Sequence, residues 1–389
     1  MYEFGQAEVK AFERVVRSGR HFRYRGGEGG ECDQFEAELC RKLKAKHSIL
    51  MSGGTAALIS GLVGLDIGPG DEVIVPGYTF MASPLSVLAA GGIPVIAEVD
   101  DSLTLDPADV AKKITRRTKA IMPVHMVGLP SNMDALVRLA RKHRIPVIED
   151  ACQAVGGSYH GRRLTTIGKV GAFSFNFFKI IGAGEGGAVV TSDELVFQKA
   201  LIYHDGGAAF RGHKLLVKPF CGQSYRVSEF LGAVMRVQLR RLDRILGRLR
   251  ARKKALVEGL GDSARFQLNP VHCTQGDCGV VTAIRFESEP EMRRALAALQ
   301  ATKISAWSPI DSGIHVYSRW TPILEQRGAS DPRRNPYLLT KKKYHYTPDM
   351  CPHTLEVLGS TIFLNTLYGE SVAQHRAIGR QVRKILEKA

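Results

Sequence analysis

A lone lysine, Lys179, stands among Phe177, Phe178, Ile180 and Ile181 in the run AFSFNFFKIIGAGEGGAVVTSD of residues 172–193. An amine in apolar surroundings is costly unless it is paired, exposed or used covalently. Desolvation lowers a lysine pKa, and that is what an amine needs to attack a carbonyl carbon. Ser174 precedes it in a Ser-x4-Lys spacing, and Gly182, Gly184, Glu185, Gly186 and Gly187 follow, with Glu185 either facing a substrate or bracing the turn. Upstream, the apolar run RIPVI ends in Glu149-Asp150-Ala151-Cys152-Gln153. A carboxylate there either caps a helix or faces a cationic ring nitrogen.

Two further turns have the same form. ILM is followed by Ser52-Gly53-Gly54-Thr55-Ala56-Ala57, a small-residue opening to a helix. Its backbone N–H groups suit a phosphate, though such turns also occur for close packing alone. VIVP is followed by Gly77-Tyr78-Thr79-Phe80-Met81-Ala82-Ser83. That places an aromatic ring at the same edge, with a plain core role as the other reading of Phe80.

These residues need a scaffold that ends all the apolar runs on one side. From Phe35 to about Asp193, short runs rich in Val and Ile (DEVIVP, IPVIAEVD, KAIMPVHMVG, RIPVIEDAC) alternate with helix-like AALISGLVGL, PLSVLAAGG, DPADVAKKI and MDALVRLARKH. Short apolar strands separated by helices predict an α/β fold around a mostly parallel sheet, with ligands at the carboxyl ends of the strands. The helical stretch from Leu231 to Lys254 reads as a long connector, and beyond it the periodicity weakens. Two regions are expected, a large one at 1–250 and a smaller C-terminal one at 251–389.

The chain has 389 residues, 44% of them hydrophobic and 24% charged, a balance that excludes a disordered, collagenous or coiled-coil chain. No apolar run reaches membrane-spanning length and the N-terminus lacks a signal-peptide pattern. Seven scattered cysteines without a C-x-x-C pair argue against a disulfide framework and a zinc ribbon. No metal is expected, and a reducing cytoplasm is the expected location. Fifty-four Lys and Arg against 38 Asp and Glu give a net charge of +16. Much of it lies in RVQLRRLDRILGRLRARKK (236–254) and Lys341-Lys342-Lys343, with no aromatic interleaving of the kind that stacks bases. Solvated helix faces are the plain reading, attraction of an anionic small substrate is the second, and no nucleic-acid partner is expected.

Taken in order, the phosphate turn, the aromatic residue, Asp-x-x-Gln, Ser-x4-Lys and GEGG resemble the DegT/DnrJ/EryC1/StrS family. These are sugar aminotransferases that use pyridoxal 5'-phosphate (PLP) on an aspartate-aminotransferase-like fold of type I, and the resemblance runs from about Gly30 to Asp243. Val124-His125-Met126-Val127-Gly128 and Tyr225-Arg226-Val227-Ser228-Glu229, followed by Gln238-Leu239 and Leu242-Asp243, are similar to two more family segments. The resemblance implies a large domain with a mostly parallel mixed sheet flanked by helices, plus a smaller C-terminal α/β domain. It implies that Lys179 holds the cofactor covalently and then moves the proton, and that Asp150 pairs with the ring nitrogen. It also implies that Gln153 lies near the ring hydroxyl, that Phe80 stacks on the ring, and that Gly54, Thr55 and Ser174 hold the phosphate. Where relatives read G-x-N-Y-R this chain has Ser224, which the resemblance makes the phosphate contact reaching across a homodimer whose active sites lie at the interface.

Related 3-dehydratases carry histidine at the lysine position, so Lys179 implies transamination. The implied donor is L-glutamate or L-glutamine, with pyridoxamine phosphate between the half-reactions. The implied acceptor is an anionic, nucleotide-linked keto-sugar, with an inosose or a free octulosonate as the alternatives. A PLP-dependent dehydratase and a non-catalytic regulator are the rival readings. Relatives build the acceptor pocket from an N-terminal segment, here Phe22-Arg23-Tyr24-Arg25, and from Gly313 to Trp320. Tyr24, Glu185, His315, Tyr317 and Trp320 are therefore the substrate-facing candidates, with small-domain core as the other reading of Tyr317 and Trp320. Arg226 either meets a substrate carboxylate or pairs with Glu229.

Overall fold

The computed structural model describes residues 3–24, 29–212 and 214–388. They begin with α1 (Gln6–Ser18) and α2 (Glu31–Leu43) and then alternate through β1 (His47–Met51), α3 (Gly54–Gly64), β2 (Glu72–Pro76), α4 (Ala82–Ala89), β3 (Ile93–Ala97), α5 (Pro107–Lys113), β4 (Thr118–Ile121), α6 (Met133–His143) and β5 (Ile148–Asp150). A two-residue hairpin, β6 (Ser158–Tyr159) and β7 (Arg162–Arg163), precedes β8 (Val170–Ser174), β9 (Gly187–Thr191) and α7 (Glu194–His204). The 32-residue α8 (Glu229–Leu260) leads to β10 (Gln267–Leu268), β11 (Val281–Arg285), α9 (Glu289–Ala301), β12 (Ala306–Trp307), α10 (Thr321–Leu324), α11 (Pro352–Gly359), β13 (Thr361–Asn365) and α12 (Val372–Leu386).

Local chemistry sets the helix ends. Asn132 accepts a hydrogen bond from the Ala135 amide at 3.2 Å to start α6, and Arg144 closes it in the left-handed conformation. Asp106 caps α5 in the same way, with Pro107 at its first position, where a missing N–H costs nothing. Of α3, Gly54, Ala56, Ala57, Leu58, Ile59 and Leu62 are buried, so this helix is apolar on most of its circumference and lies inside the molecule.

The strands β3-β2-β4 are parallel, and the isolated parallel bridges Ile121–Val147 and Val124–Asp150 carry the sheet on to β5. It continues through β8, β9 and β1. Only β9 opposes its neighbours, pairing antiparallel with both β8 and β1, so the sheet is mixed and mostly parallel. Every residue of β2, β8 and β9 is buried, as the unbroken Val and Ile runs require of a sheet covered on both faces. Asp150, Ser174, Gly53-Gly54 and the Gly77–Ser83 loop all gather at one sheet edge, since β1, β2, β5 and β8 point the same way.

A second, antiparallel sheet, β10-β11-β13-β12, forms a core of its own with α9 and α12, in which Ile284, Leu299, Ile362 and Val382 are buried. The expected change at residue 250 falls inside α8, which is continuous to Leu260. The chain between β12 and α11 turns back to the first sheet: Tyr317, Trp320, Ile323, Tyr337 and Cys351 share a core with Ile49, Val75 and Ala172. The arginines of α8 are largely paired within the chain. Arg236 binds Glu31 at 2.7 Å and Glu38 at 2.8 Å, Arg241 binds Glu8 at 2.7 Å, and Glu3 takes both Arg244 and, at 3.0 Å, Arg248.

Candidate active site

β5 ends at Asp150 in a turn, with no helix for it to cap. Its carboxylate is 4% exposed. The Ser83 hydroxyl donates to Oδ2 at 2.7 Å and the Cys152 amide to Oδ1 at 3.0 Å. One residue back, the buried Glu149 accepts the amides of Thr165, Ile167 and Gly168 at 2.9, 2.7 and 2.6 Å. It also lies 3.2 Å from His125 Nε2, while His125 Nδ1 accepts the Ser131 amide at 3.1 Å. Nε2 therefore carries the ring proton and donates it to Glu149. These contacts fix the strand end from behind, and Gln153, whose Oε1 accepts the Val127 amide at 3.1 Å, is tied to the same turn.

Lys179 sits in the turn after β8, half-buried, its amide donating to the Asn176 carbonyl at 3.0 Å. Its amine has no hydrogen-bond or ion-pair partner among the described residues. Burial first, and then the charge of Lys179, hold the His315 pKa down to about 4, so the imidazole beside the amine is neutral at neutral pH. Burial and the Asp150 carboxylate push the Cys152 thiol well up, and Lys179 opposes them. Cys152 thus lies within reach of both charges. Phe80 is 41% exposed, so it is no core residue, and its ring lies 5.6 Å from that of His315. Backbone bonds lock the two segments together: the Thr79 amide donates to the His315 carbonyl at 2.9 Å and the Met81 amide to Ile314 at 3.0 Å.

The remaining wall is the start of α3. Its N-cap is Gly53, and no side chain caps the first turn, which leaves amide donors and the positive helix end facing outward beside the exposed Thr55 side chain. The Gly-Glu-Gly-Gly turn lies directly on it: Gly53 bridges Gly186, and a Cβ on Gly187 would fall 2.3 Å from the Gly53 carbonyl oxygen. Ser174, at the end of β8, touches the same turn.

Lys179, Asp150, Gln153, Phe80, Gly54, Thr55 and Ser174 thus collect at one sheet edge with His315. Glu185 accepts from the Asn176 side chain at 3.2 Å, bracing its turn while remaining exposed. Ser224 is exposed and bridges Asp205. Tyr24 is half-buried under the Arg211 guanidinium, 4.5 Å from its ring, and burial pushes its hydroxyl up to about 12.

Several expectations need correction. Tyr317 and Trp320 are each 1% exposed. The Tyr317 hydroxyl accepts the Cys351 amide at 2.9 Å and the Trp320 indole donates to the Ile314 carbonyl at 3.2 Å, so both are core residues that hold the His315 segment rather than line a pocket. Arg23 is bound bidentately by Glu36 at 2.6 and 2.7 Å and is buried, while Arg25 lies outside the described residues. Arg226 pairs with Asp205 at 2.5 Å rather than with Glu229, which instead binds the Glu31 amide. Ser83 and the His125–Glu149 pair are the participants that sequence reasoning passed over. The Thr79/Ser83 spacing, one helical turn, was the available signal.

The sequence profile described as the DegT/DnrJ/EryC1/StrS aminotransferase family matches residues 3–320. The chain is 40% identical over 302 residues to a dTDP-3-amino-3,4,6-trideoxy-alpha-D-glucose transaminase of Streptomyces venezuelae, covering 76% of this chain and 77% of that protein. It is 36% identical over 265 residues to an L-glutamine:2-deoxy-scyllo-inosose aminotransferase of Micromonospora echinospora, covering 65% and 63%. Among solved structures, the 3-amino-5-hydroxybenzoic acid synthase superposes with a TM-score of 0.83 at 27% identity, over 100% of this chain and 98% of that one.

Proposed function

The chain belongs to the DegT/DnrJ/EryC1/StrS aminotransferase family, and from that membership we propose that it uses PLP to move an amino group from L-glutamate or L-glutamine to a nucleotide-linked keto-sugar. The observation that carries this reading is the presence at one sheet edge of a half-buried Lys179, whose amine has no partner among the described residues, and of the buried Asp150 carboxylate, held by two donors. The residues fit the cofactor. Gly54 has no side chain where a Cβ would meet Ser174, and the uncapped amides of α3 meet the needs of a phosphate.

PLP, when bound, supplies an electron sink for carbanion chemistry. The protein's part is then to bind, orient and move protons. The first turn of α3, with Gly54, Thr55 and Ser174, would take the phosphate. Asp150 would face the ring nitrogen and favour its protonated form, Phe80 would cover one ring face, and Gln153 would serve the ring hydroxyl. Lys179 would hold the cofactor through Nζ, and the same amine would move the proton at the reacting carbon. The neutral His315 adds no second positive charge beside that amine.

The nucleotide-linked acceptor is favoured because the 40% relative is named for a dTDP-sugar; an inosose is the second reading, from the 36% relative. Tyr24, Glu185 and His315 are the residues assigned to the acceptor side. The exposed Ser224 fits a homodimer in which it meets the partner's cofactor phosphate. No described helix is long and apolar enough to cross a membrane, and the seven unbridged cysteines agree with action in the cytoplasm.

The test is the visible absorption of the protein loaded with PLP, before and after L-glutamate or L-glutamine without any acceptor. A band that one donor bleaches, and that a keto-sugar then restores, is the expected result. A protein with no band after PLP addition, or a band untouched by either donor, overturns the reading.

A further inference from the structure

We infer that Ser83 is the positioning residue for Asp150 and that, with Thr79, it forms a one-way hydrogen-bond relay that fixes the orientation of this carboxylate; the inference rests on the cofactor reading above. Ser83 Oγ lies 2.7 Å from Asp150 Oδ2 and 2.7 Å from Thr79 Oγ1. A carboxylate only accepts, so the single Ser83 proton goes to Asp150. Thr79 must then donate its own proton to Ser83, because Ser83 has none left to give. The Phe80 carbonyl is farther from both hydroxyls, at 3.4 Å from Thr79 and 3.3 Å from Ser83.

All three residues are buried, at 1% for Thr79, 1% for Ser83 and 4% for Asp150. In such a place each donor polarises the next, and a charge-assisted bond is at its strongest. The Oδ2 bond therefore holds the carboxylate in one orientation at the strand end. The charged and titratable groups around Asp150 are Lys179, the Cys152 thiol, the neutral His315 and the Glu149–His125 pair behind the strand end. None of these replaces the Oδ2 contact. The loop from Thr79 to Ser83 also carries Phe80, so one short segment aims both the aromatic ring and the carboxylate.

The experiment uses the full chain loaded with PLP and reads two quantities: the PLP dissociation constant by absorbance titration, and the pH midpoint of the visible band. Ser83→Ala should weaken PLP binding by about tenfold, the loss expected for one hydrogen bond to a charged group, and should displace the midpoint. Thr79→Val, nearly isosteric, should move both in the same direction by less. In an Asp150→Asn background, Ser83→Ala should leave the midpoint where Asp150→Asn alone puts it, as coupled residues do. Wild-type binding and midpoint in Ser83→Ala, or an undiminished shift in the Asp150→Asn background, overturn the inference while the cofactor reading stands. If Ser83→Ala does not fold, Thr79→Val decides by the same measurements. A wild-type chain that takes up no PLP overturns the cofactor reading and this inference with it.

Discussion

Gly54 and Ser174 meet with no room for a side chain between them: a methyl group on Gly54 would lie 2.7 Å from Ser174 Cβ and 2.9 Å from Cys152 Sγ. Gly54→Ala should therefore lower stability by ~1–3 kcal/mol through overpacking. It should also weaken PLP binding, because the first turn of α3 has to shift. Calorimetric melting and a PLP titration read the two effects, and an unchanged melting temperature with unchanged binding would count against the close fit.

Lys179→Ala should leave no visible cofactor band and no turnover while the circular dichroism of the fold is retained, since the Lys179 amine has no described partner whose loss would unsettle the core. Full activity in this variant would remove Lys179 from the site.

Asp150→Asn should keep PLP bound but slow both half-reactions by about 100-fold or more, because a neutral amide no longer favours the protonated ring nitrogen. Single-turnover kinetics with donor alone and with acceptor alone separate the two halves. An unimpaired variant would leave Asp150 only a strand-end residue of the turn.

His204 is fully buried, and burial, followed by the charge of Arg23, holds its pKa down to about 3. The unfolded chain therefore binds this proton at a higher pH than the folded chain does. Stability from this group is complete above about pH 7 and falls as the pH drops through the ordinary histidine range, by about 1 kcal/mol per pH unit. His204→Leu should flatten the stability profile between pH 6.5 and pH 5, measured by urea unfolding. A slope equal to that of the wild type would place the effect on other groups.

The strands, the helices between them and the positions that gather at the sheet edge were legible because each depends on neighbours in the sequence. MDALVRLARKH carries its own period and caps and forms α6 over those eleven residues. Asp150, Ser174, Gly54 and Phe80 stand directly after apolar runs, and parallel strands bring such positions to one edge. What was not legible depends on long-range packing. Tyr317 and Trp320 have the composition of a sugar-binding wall, yet they fill space under the sheet because the chain after β12 returns to the first core. Arg226 could not be matched to Asp205 by spacing, since 21 residues separate them. Ser83 reads as an ordinary first-turn serine until Asp150, 67 residues later, is set beside it.

The pairing of α8 with the N-terminal segment has a consequence for handling the protein. Glu3 and Glu8 between them pair with Arg241, Arg244 and Arg248 along one side of that helix. A chain carrying Glu3→Gln and Glu8→Gln would leave this row of guanidinium groups unpaired. It should be retained more strongly on a heparin or phosphocellulose column and elute at higher salt than the loss of two acidic residues alone would account for. Charge that is internal bookkeeping in the intact molecule would become an adhesive surface for any polyanion in the extract.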